Sequence, residues 1–85
     1  MQDAEAERFV THLVKTVLPG NEKRMVSRDM DLVTDLGADS MSLVSLIFSL
    51  DEKLGVGTEE LGGQIQQCRT VDDVIAMTVR LSGAA

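Results

Sequence analysis

Asp35-Leu36-Gly37-Ala38-Asp39-Ser40-Met41, continuing as Ser42-Leu43-Val44-Ser45-Leu46-Ile47-Phe48-Ser49-Leu50-Asp51-Glu52-Lys53-Leu54-Gly55, is the stretch that decides the fold. Leu43, Leu46, Leu50 and Leu54 follow steps of three or four, which predicts a helix over Ser40–Leu54 with one stripe in the core. Met41, Val44 and Phe48 keep the same spacing on a different side. A helix apolar on two sides is either central to a bundle or presents one side to a partner. Gly55 supplies its stop. At the other end a glycine turn delivers Ser40 to the helix start, beside the Asp39 carboxylate and backbone N–H groups that lack intrahelical acceptors. Helix amides and dipole favour negative phosphate there, so the hydroxyl is well placed to receive a phosphodiester-linked group. The same Asp39-Ser40 pair before an apolar run also reads as a simple helix cap.

Working outward, Phe9, Val10, Leu13, Val14, Val17 and Leu18 form one stripe of a helix over about residues 3–18, with acids in its opening turns and Pro19-Gly20 at its end. Residues 20–39 carry Met25, Val26, Met30, Leu32, Val33 and Leu36 without sustained period, between aspartates that favour turns. This is a long loop pinned by a few buried side chains, and loops of that length are often functional. Residues 58–67 predict a short helix capped by Thr58 and weakened by Gly62-Gly63. The last helix opens at Thr70 with Asp73 three positions on, a capping box with Asp in place of Glu. Val71, Val74, Ile75, Thr78, Val79 and Leu81 give it a buried side, and Ser82-Gly83-Ala84-Ala85 is expected to fray. No strand-like alternation competes. The expected fold is all-α: a small four-helix bundle of three main helices and one short one, with a long loop after the first.

The 85 residues are enough for one domain, taken to span 1–85, and too few for two. Of the residues, 44% are hydrophobic and 26% charged, a globular balance. Phe9 and Phe48 are the only aromatics, so base stacking has little to build on. The net charge of −6 falls wholly within residues 31–60, where Asp31, Asp35, Asp39, Asp51, Glu52, Glu59 and Glu60 face one base, Lys53. That acidity argues against nucleic-acid phosphates and anionic membranes as partners. No apolar run approaches a membrane span, and the acidic N-terminus is no signal peptide, so a cytoplasmic protein is expected. Met1 and the short tails suggest a free-standing chain.

Other chemistries find little support. Cys68 is the only cysteine and His12 the only histidine, which removes disulfides, thiolate cages and His-rich metal sites. A Ser40–His12–Asp triad lacks any Gly-x-Ser-x-Gly elbow. Asp29, Asp31, Asp35 and Asp39 lack the spacing and closing Glu of a calcium loop, so a solvated loop is the better reading. Met25, Met30, Met41 and Met77 read as adaptable packing, and nothing near Cys68 suggests a depressed pKa.

Asp35-Leu36-Gly37-Ala38-Asp39-Ser40, followed by an apolar residue and Leu43-Val44, resembles the 4′-phosphopantetheine attachment motif of the acyl carrier proteins. The resemblance continues through Leu46, Leu50 and Asp51-Glu52-Lys53-Leu54-Gly55-Val56, resumes at Thr70-Val71-Asp72-Asp73-Val74, and covers nearly the whole chain. It implies that Ser40 carries a 4′-phosphopantetheine arm, moved there from coenzyme A by a phosphopantetheinyl transferase. The arm's thiol would hold acyl groups as thioesters and present them to an acyltransferase, a ketosynthase and other biosynthetic enzymes. The carrier would be a non-catalytic monomer. Asp39 before the serine is similar to fatty acid and polyketide carriers, whereas peptidyl carriers more often show Gly-Gly-x-Ser at that place, which leaves a peptidyl carrier as a further alternative.

The helix from Ser40 is similar to the family's recognition helix. Met41, Val44 and Phe48 match its apolar contact positions and Asp51 and Glu52 two of its later acids, with Asp39 adjoining them. Ser42 and Ser45 stand where acids are usual, and Lys53 replaces another. Those departures suggest a specialised polyketide carrier first and a fatty acid carrier second. A helical interaction domain without a prosthetic group is the reading from a different class. By resemblance Leu61 and Ile65 flank cargo; by composition they are ordinary core.

Overall fold

The computed structural model describes residues 1–83. Four helices follow in order: α1 (Asp3–Val17), α2 (Ser40–Leu54), α3 (Thr58–Ile65) and α4 (Val71–Ser82). No strand is present among the described residues; the single isolated bridge joins Asp31 to Thr70. The all-α bundle with a long first connection is therefore as expected. Helix α1 packs on α4 and α2, and α2 also packs on α3 and α4.

The core is aliphatic. Val10, Val14 and Leu18 from α1 and the residue after it meet Leu46 and Leu50 of α2, Leu61 of α3, and Val71, Val74, Ile75 and Met77 of α4, all essentially without exposure. Each such side chain contributes roughly 1.5–3 kcal/mol by leaving water. Leu61 is fully buried and Ile65 nearly so, which makes both ordinary core residues. Ala6 and Met77 join the core although neither stood in the expected stripes. Thr78 is buried and donates its hydroxyl to the Val74 carbonyl at 2.8 Å, so its polarity is satisfied within the helix.

The long loop is held by backbone more than by side chains. Leu32 N–H donates to the Arg69 carbonyl at 2.8 Å, Val71 N–H to Met30 at 3.0 Å, and Asp72 N–H to Arg28 at 2.8 Å. These bonds stitch the loop to the α3–α4 connection. Leu32 and Leu36 supply the buried side chains, whereas Met25 and Val33 of the same scatter are exposed. Asn21 is buried and donates its amide to the Leu18 and Leu36 carbonyls at 3.1 and 2.9 Å, fastening both ends of the loop. Arg28 adds a three-way ion pair with Asp3 (2.7 Å), Glu7 (3.0 Å) and Asp72 (2.6 Å), joining the starts of α1 and α4 through the loop.

Three boundaries differ from the sequence expectation. Thr58 is not the cap of the short helix but its first residue; Gly57 stands at the N-cap and no side chain caps it. The short helix ends at Ile65 rather than residue 67. Ser82 does not fray: it closes α4, donates to the Val79 carbonyl at 3.0 Å and accepts from the Met1 ammonium at 2.8 Å. Gly83 follows in right-handed helical conformation. The expectation for Ala84 and Ala85 lies outside the described residues.

Acid should loosen this fold in a defined direction. The carboxyls of Asp3, Asp31, Asp39 and Asp73 all sit below their ordinary values. The leading causes are hydrogen bonds from Arg28, from Thr34 N–H, from the Ser42 hydroxyl and from Arg69 N–H, respectively. Their folded pKa values lie below the unfolded ones, so their contribution is present above pH about 4 and is lost as pH falls through the folded values. Urea midpoints measured from pH 7 to pH 2 are expected to hold level to about pH 5 and then decline. A level profile down to pH 2 would contradict this account.

Candidate functional site

The segment before α2 is a compact turn. Asp35 N–H and Leu36 N–H donate to the Asp31 carbonyl, Gly37 N–H to Val33 and Ala38 N–H to Leu32, at 2.8–3.1 Å. The Asp31 carboxylate accepts from Val33 N–H and Thr34 N–H at 2.9 and 3.0 Å, and the Asp35 carboxylate from Asp31 N–H at 2.7 Å. The clustered aspartates are thus turn-formers. No group of side chains among the described residues is arranged to hold a metal ion. Gly37 takes φ 74°, where a side chain would be strained, and this reversal turns the chain into α2.

Asp39 is the N-cap of α2 and Ser40 its first helical residue. The capping box is reciprocal. The Asp39 carboxylate accepts from Ser42 N–H at 2.8 Å and from the Ser42 hydroxyl, and Ser42 Oγ accepts from Asp39 N–H at 3.3 Å. The hydroxyl bond is the first cause, and the backbone bond the second, of the lowered Asp39 pKa. The box expected at Thr70 and Asp73 is present. This one was not expected, although an Asp with Ser three residues on carries the same signal. Ser42 is buried in the cap and does not face outward as a docking position.

Ser40, by contrast, is exposed, and its hydroxyl enters no hydrogen bond among the described residues. First-turn backbone N–H groups lie beside it. The residues fit a phosphodiester at this point: the oxygen is accessible, and the adjacent carboxylate is already engaged as the cap.

The other candidate residues divide. Met41 is 81% exposed, Val44 50% and Phe48 59%, so the second apolar stripe of α2 faces outward as expected. Glu52 is exposed near that stripe. Asp51 is half-buried and accepts from Gly57 N–H at 2.8 Å, tying down the α2–α3 turn. Lys53 belongs elsewhere: its ammonium lies 5.9 Å from the centre of the Phe9 ring of α1. The cation read from sequence as diluting the recognition helix is therefore turned toward α1. His12 is exposed on α1 and lines a different depression, with Arg8 and Lys15, from the one beside Asp39. Cys68 is half-buried, and burial pushes its thiol up to about 11, so it is a poor nucleophile.

The bundle thus displays an exposed serine hydroxyl, free of hydrogen bonds among the described residues, at the start of α2. Comparison with known proteins supplies the family. A family model described as the phosphopantetheine attachment site matches residues 8–78, and the chain belongs to that family, the acyl carrier protein family. Its prosthetic group is 4′-phosphopantetheine, and it is a carrier, not an enzyme.

The chain is 32% identical over 83 residues to a polyunsaturated fatty acid synthase polypeptide of Thraustochytrium, covering 96% of this chain and 3% of that much longer one. It is 34% identical over 64 residues to the acyl carrier protein of Solidesulfovibrio magneticus, covering 75% and 80% of the two chains. The acyl carrier protein of Thermotoga maritima is 30% identical over 57 residues, 67% and 68% of the two chains. No solved structure gives a significant match. No helix among the described residues is long and apolar enough to cross a membrane.

Proposed function

We propose that Ser40 is the attachment point of 4′-phosphopantetheine, and that this chain presents acyl intermediates to the enzymes of a polyketide pathway in the cytoplasm, acting as a single monomeric domain. The observation that carries the attachment site is the exposed Ser40 hydroxyl at the first position of α2, set there by the Gly37 turn and the Asp39–Ser42 cap. In the transfer, Ser40 Oγ forms a new bond to phosphorus and the pyrophosphate P–O bond of coenzyme A breaks. The 3′,5′-ADP leaves with the bonding electrons, and the hydroxyl proton passes to a base of the transferase. Once attached, the group supplies a terminal thiol that holds acyl units as thioesters. Incubation with coenzyme A and a broad-specificity phosphopantetheinyl transferase tests this: intact mass should rise by one phosphopantetheine, with the modified peptide containing Ser40. No added mass would overturn the assignment.

Helix α2 supports docking through apolar contact ringed by acid. Its outward stripe of Met41, Val44 and Phe48 fits an apolar partner patch, with Glu52 at the rim. An acyltransferase and a ketosynthase are the partners of that chemistry. Glu52 and Glu5 are both exposed and outside every ion pair of the described residues, so they make a clean comparison. Glu52→Lys should lower partner turnover severalfold at low salt and less at high salt, because rim charges act mainly on encounter. Glu5→Lys should have little effect; equal losses would remove α2 from the docking face.

The second reading is a carrier for fatty acid synthesis, favoured by the similarity to a polypeptide named as part of a polyunsaturated fatty acid synthase. The burial of Ser42 and the turn of Lys53 toward Phe9 weaken two of the three departures that pointed toward polyketides, while the exposed Ser45 keeps the third. The mass of the acyl species released from protein isolated from its native cells separates them: poly-β-keto chains support the first, and chains whose β-keto groups have been removed, saturated or with double bonds, the second.

A further inference from the structure

The charge of the chain is divided along its length. Residues 8–28 hold five of its eight bases, Arg8, Lys15, Lys23, Arg24 and Arg28, against Glu22 alone, for a local net of +4, while the remaining residues carry three bases and 13 acids. Helix α1 turns Ala6, Val10, Leu13 and Val14 into the core, so Arg8, Thr11, His12 and Lys15 stand on its outward face. With Val26 of the loop they line a depression of about 440 Å³, and Glu7, which also lines it, is already drawn to Arg28 at 3.0 Å. No residue of α2 takes part in it. Elsewhere the molecule engages its bases: Arg28 in three ion pairs, Arg69 with Asp31, Arg24 with the Asp35 carbonyl, Arg80 with the Gln64 amide and Lys53 over Phe9. Arg8, Lys15 and Lys23 enter no ion pair of the described residues, although the chain has 14 acids.

We propose that this cationic face of α1 is a second docking surface, and that it takes an acidic patch of a partner protein. Sign selects the chemistry: like charges left unpaired on one helix face repel each other, and a carboxylate brought between Arg8 and Lys15 relieves that repulsion. Size selects the kind of partner. The two cations are about 10 Å apart along the helix, close to the Debye length of about 10 Å at 0.1 M salt. A nucleic acid or an anionic bilayer presents charge over a longer span and would also meet exposed Glu5, one turn before Arg8, and exposed Glu22, beside Lys23. A second copy arrives with the same net charge of −6. A compact acidic patch meets the cations alone. Val26 is the only aliphatic side chain in the depression and is half-buried, so the contact is ionic, quickly made and strongly screened by salt. A partner seated there leaves Ser40, Val44 and Phe48 uncovered, so one protein can retain the carrier while α2 visits others.

The test titrates nitrogen-15-labelled protein with a glutamate decapeptide, standing in for an acidic patch, at low and at high salt. Amide shifts are expected to move at Arg8, Thr11, His12 and Lys15, to stay in place at Ser40, Val44 and Phe48, and to return at high salt. Arg8→Gln combined with Lys15→Gln should weaken the binding severalfold. Lys53→Gln combined with Arg80→Gln removes as much charge from α2 and α4 and should leave it as it was. Shifts spread over Arg28, Arg69 and Arg80, or equal weakening in both pairs, would overturn the surface. So would shifts at Arg8 and Lys15 on concentrating the protein alone, which make the occupant a second copy. Tighter binding of a phosphatidylglycerol vesicle or a DNA duplex than of the peptide would overturn the protein partner in favour of an extended polyanion. The same shifts with inorganic phosphate at the peptide's concentration would reduce the surface to a small-anion site and overturn it as well.

Discussion

Ser40→Ala is expected to fold normally and gain no mass from coenzyme A, whereas Ser42→Ala, two residues on, should load fully and melt earlier. The two serines differ in what their oxygens do. Ser40 is the first residue of α2, exposed and outside the hydrogen-bond network, so alanine removes an acceptor of the arm and little else. Ser42 is buried at the third position and exchanges hydrogen bonds with Asp39 in both directions. Alanine keeps its backbone N–H on Asp39 but deletes both hydroxyl bonds, a cost of about 1 kcal/mol. For a domain of this size that lowers Tm by roughly 4–8 °C. Intact mass and a thermal melt on each variant decide the matter. Modification of Ser40→Ala, or loss of modification in a folded Ser42→Ala, would reverse the roles assigned here.

Leu61→Ala should cost about 2–5 kcal/mol out of a total on the order of 5–15. Leu61 is fully buried, and besides it α3 is held by the nearly buried Ile65 and an exposed hydrogen bond from Arg80 to the Gln64 amide oxygen at 2.6 Å. The helix has eight residues, no side-chain N-cap and glycines at 62 and 63. Isolated helices this short do not persist in water, so the attachment of α3 rests on Leu61 and Ile65. The loss should be local before it is global. Amide protection through Thr58–Ile65 should collapse while α1 and α4 keep theirs, and the urea midpoint should fall. Adding Gly62→Ala should return about 0.5–1 kcal/mol, because a Cβ there meets nothing within 4 Å. A cost below about 1 kcal/mol for Leu61→Ala would mean that α3 is held by something other than its apolar face.

Most of the bundle was legible in the chain because helices with one buried stripe announce themselves by period. Helices α1, α2 and α4 are in this class, and the outward stripe of Met41, Val44 and Phe48 followed from counting apolar positions beyond what the core needs. What escaped were pairings between residues distant in sequence. Nothing in the spacing marks Arg28 as the cation that gathers Asp3, Glu7 and Asp72, or Asn21 as the amide that closes the loop. From the sequence Lys53 only replaces an acid of the recognition helix, and its direction was not legible. Its side chain leaves the helix on the side where Phe9 passes. Met25 and Leu32 are equally apolar letters in an aperiodic segment, and only the path of the backbone makes one exposed and the other buried. At the site, the serine and its carboxylate neighbour were legible. The depression beside Asp39 was not, since it needs Val17 and Pro19 brought next to Ser45 by the packing of α1 on α2.

The stitching of the loop to the α3–α4 connection also sets an order of events in biosynthesis. Asp31 and Arg69 are 38 residues apart and Arg28 and Asp72 are 44, so these contacts cannot close until the last third of the chain has been made. Local helices form earlier, and contacts of long sequence separation come late. The turn's own bonds are local, but its docking onto the α3–α4 connection, which fixes where Ser40 points, is therefore among the last contacts to settle. Nascent chains stalled before Thr70 should be poor substrates for the transferase, so loading with the arm certifies a finished carrier.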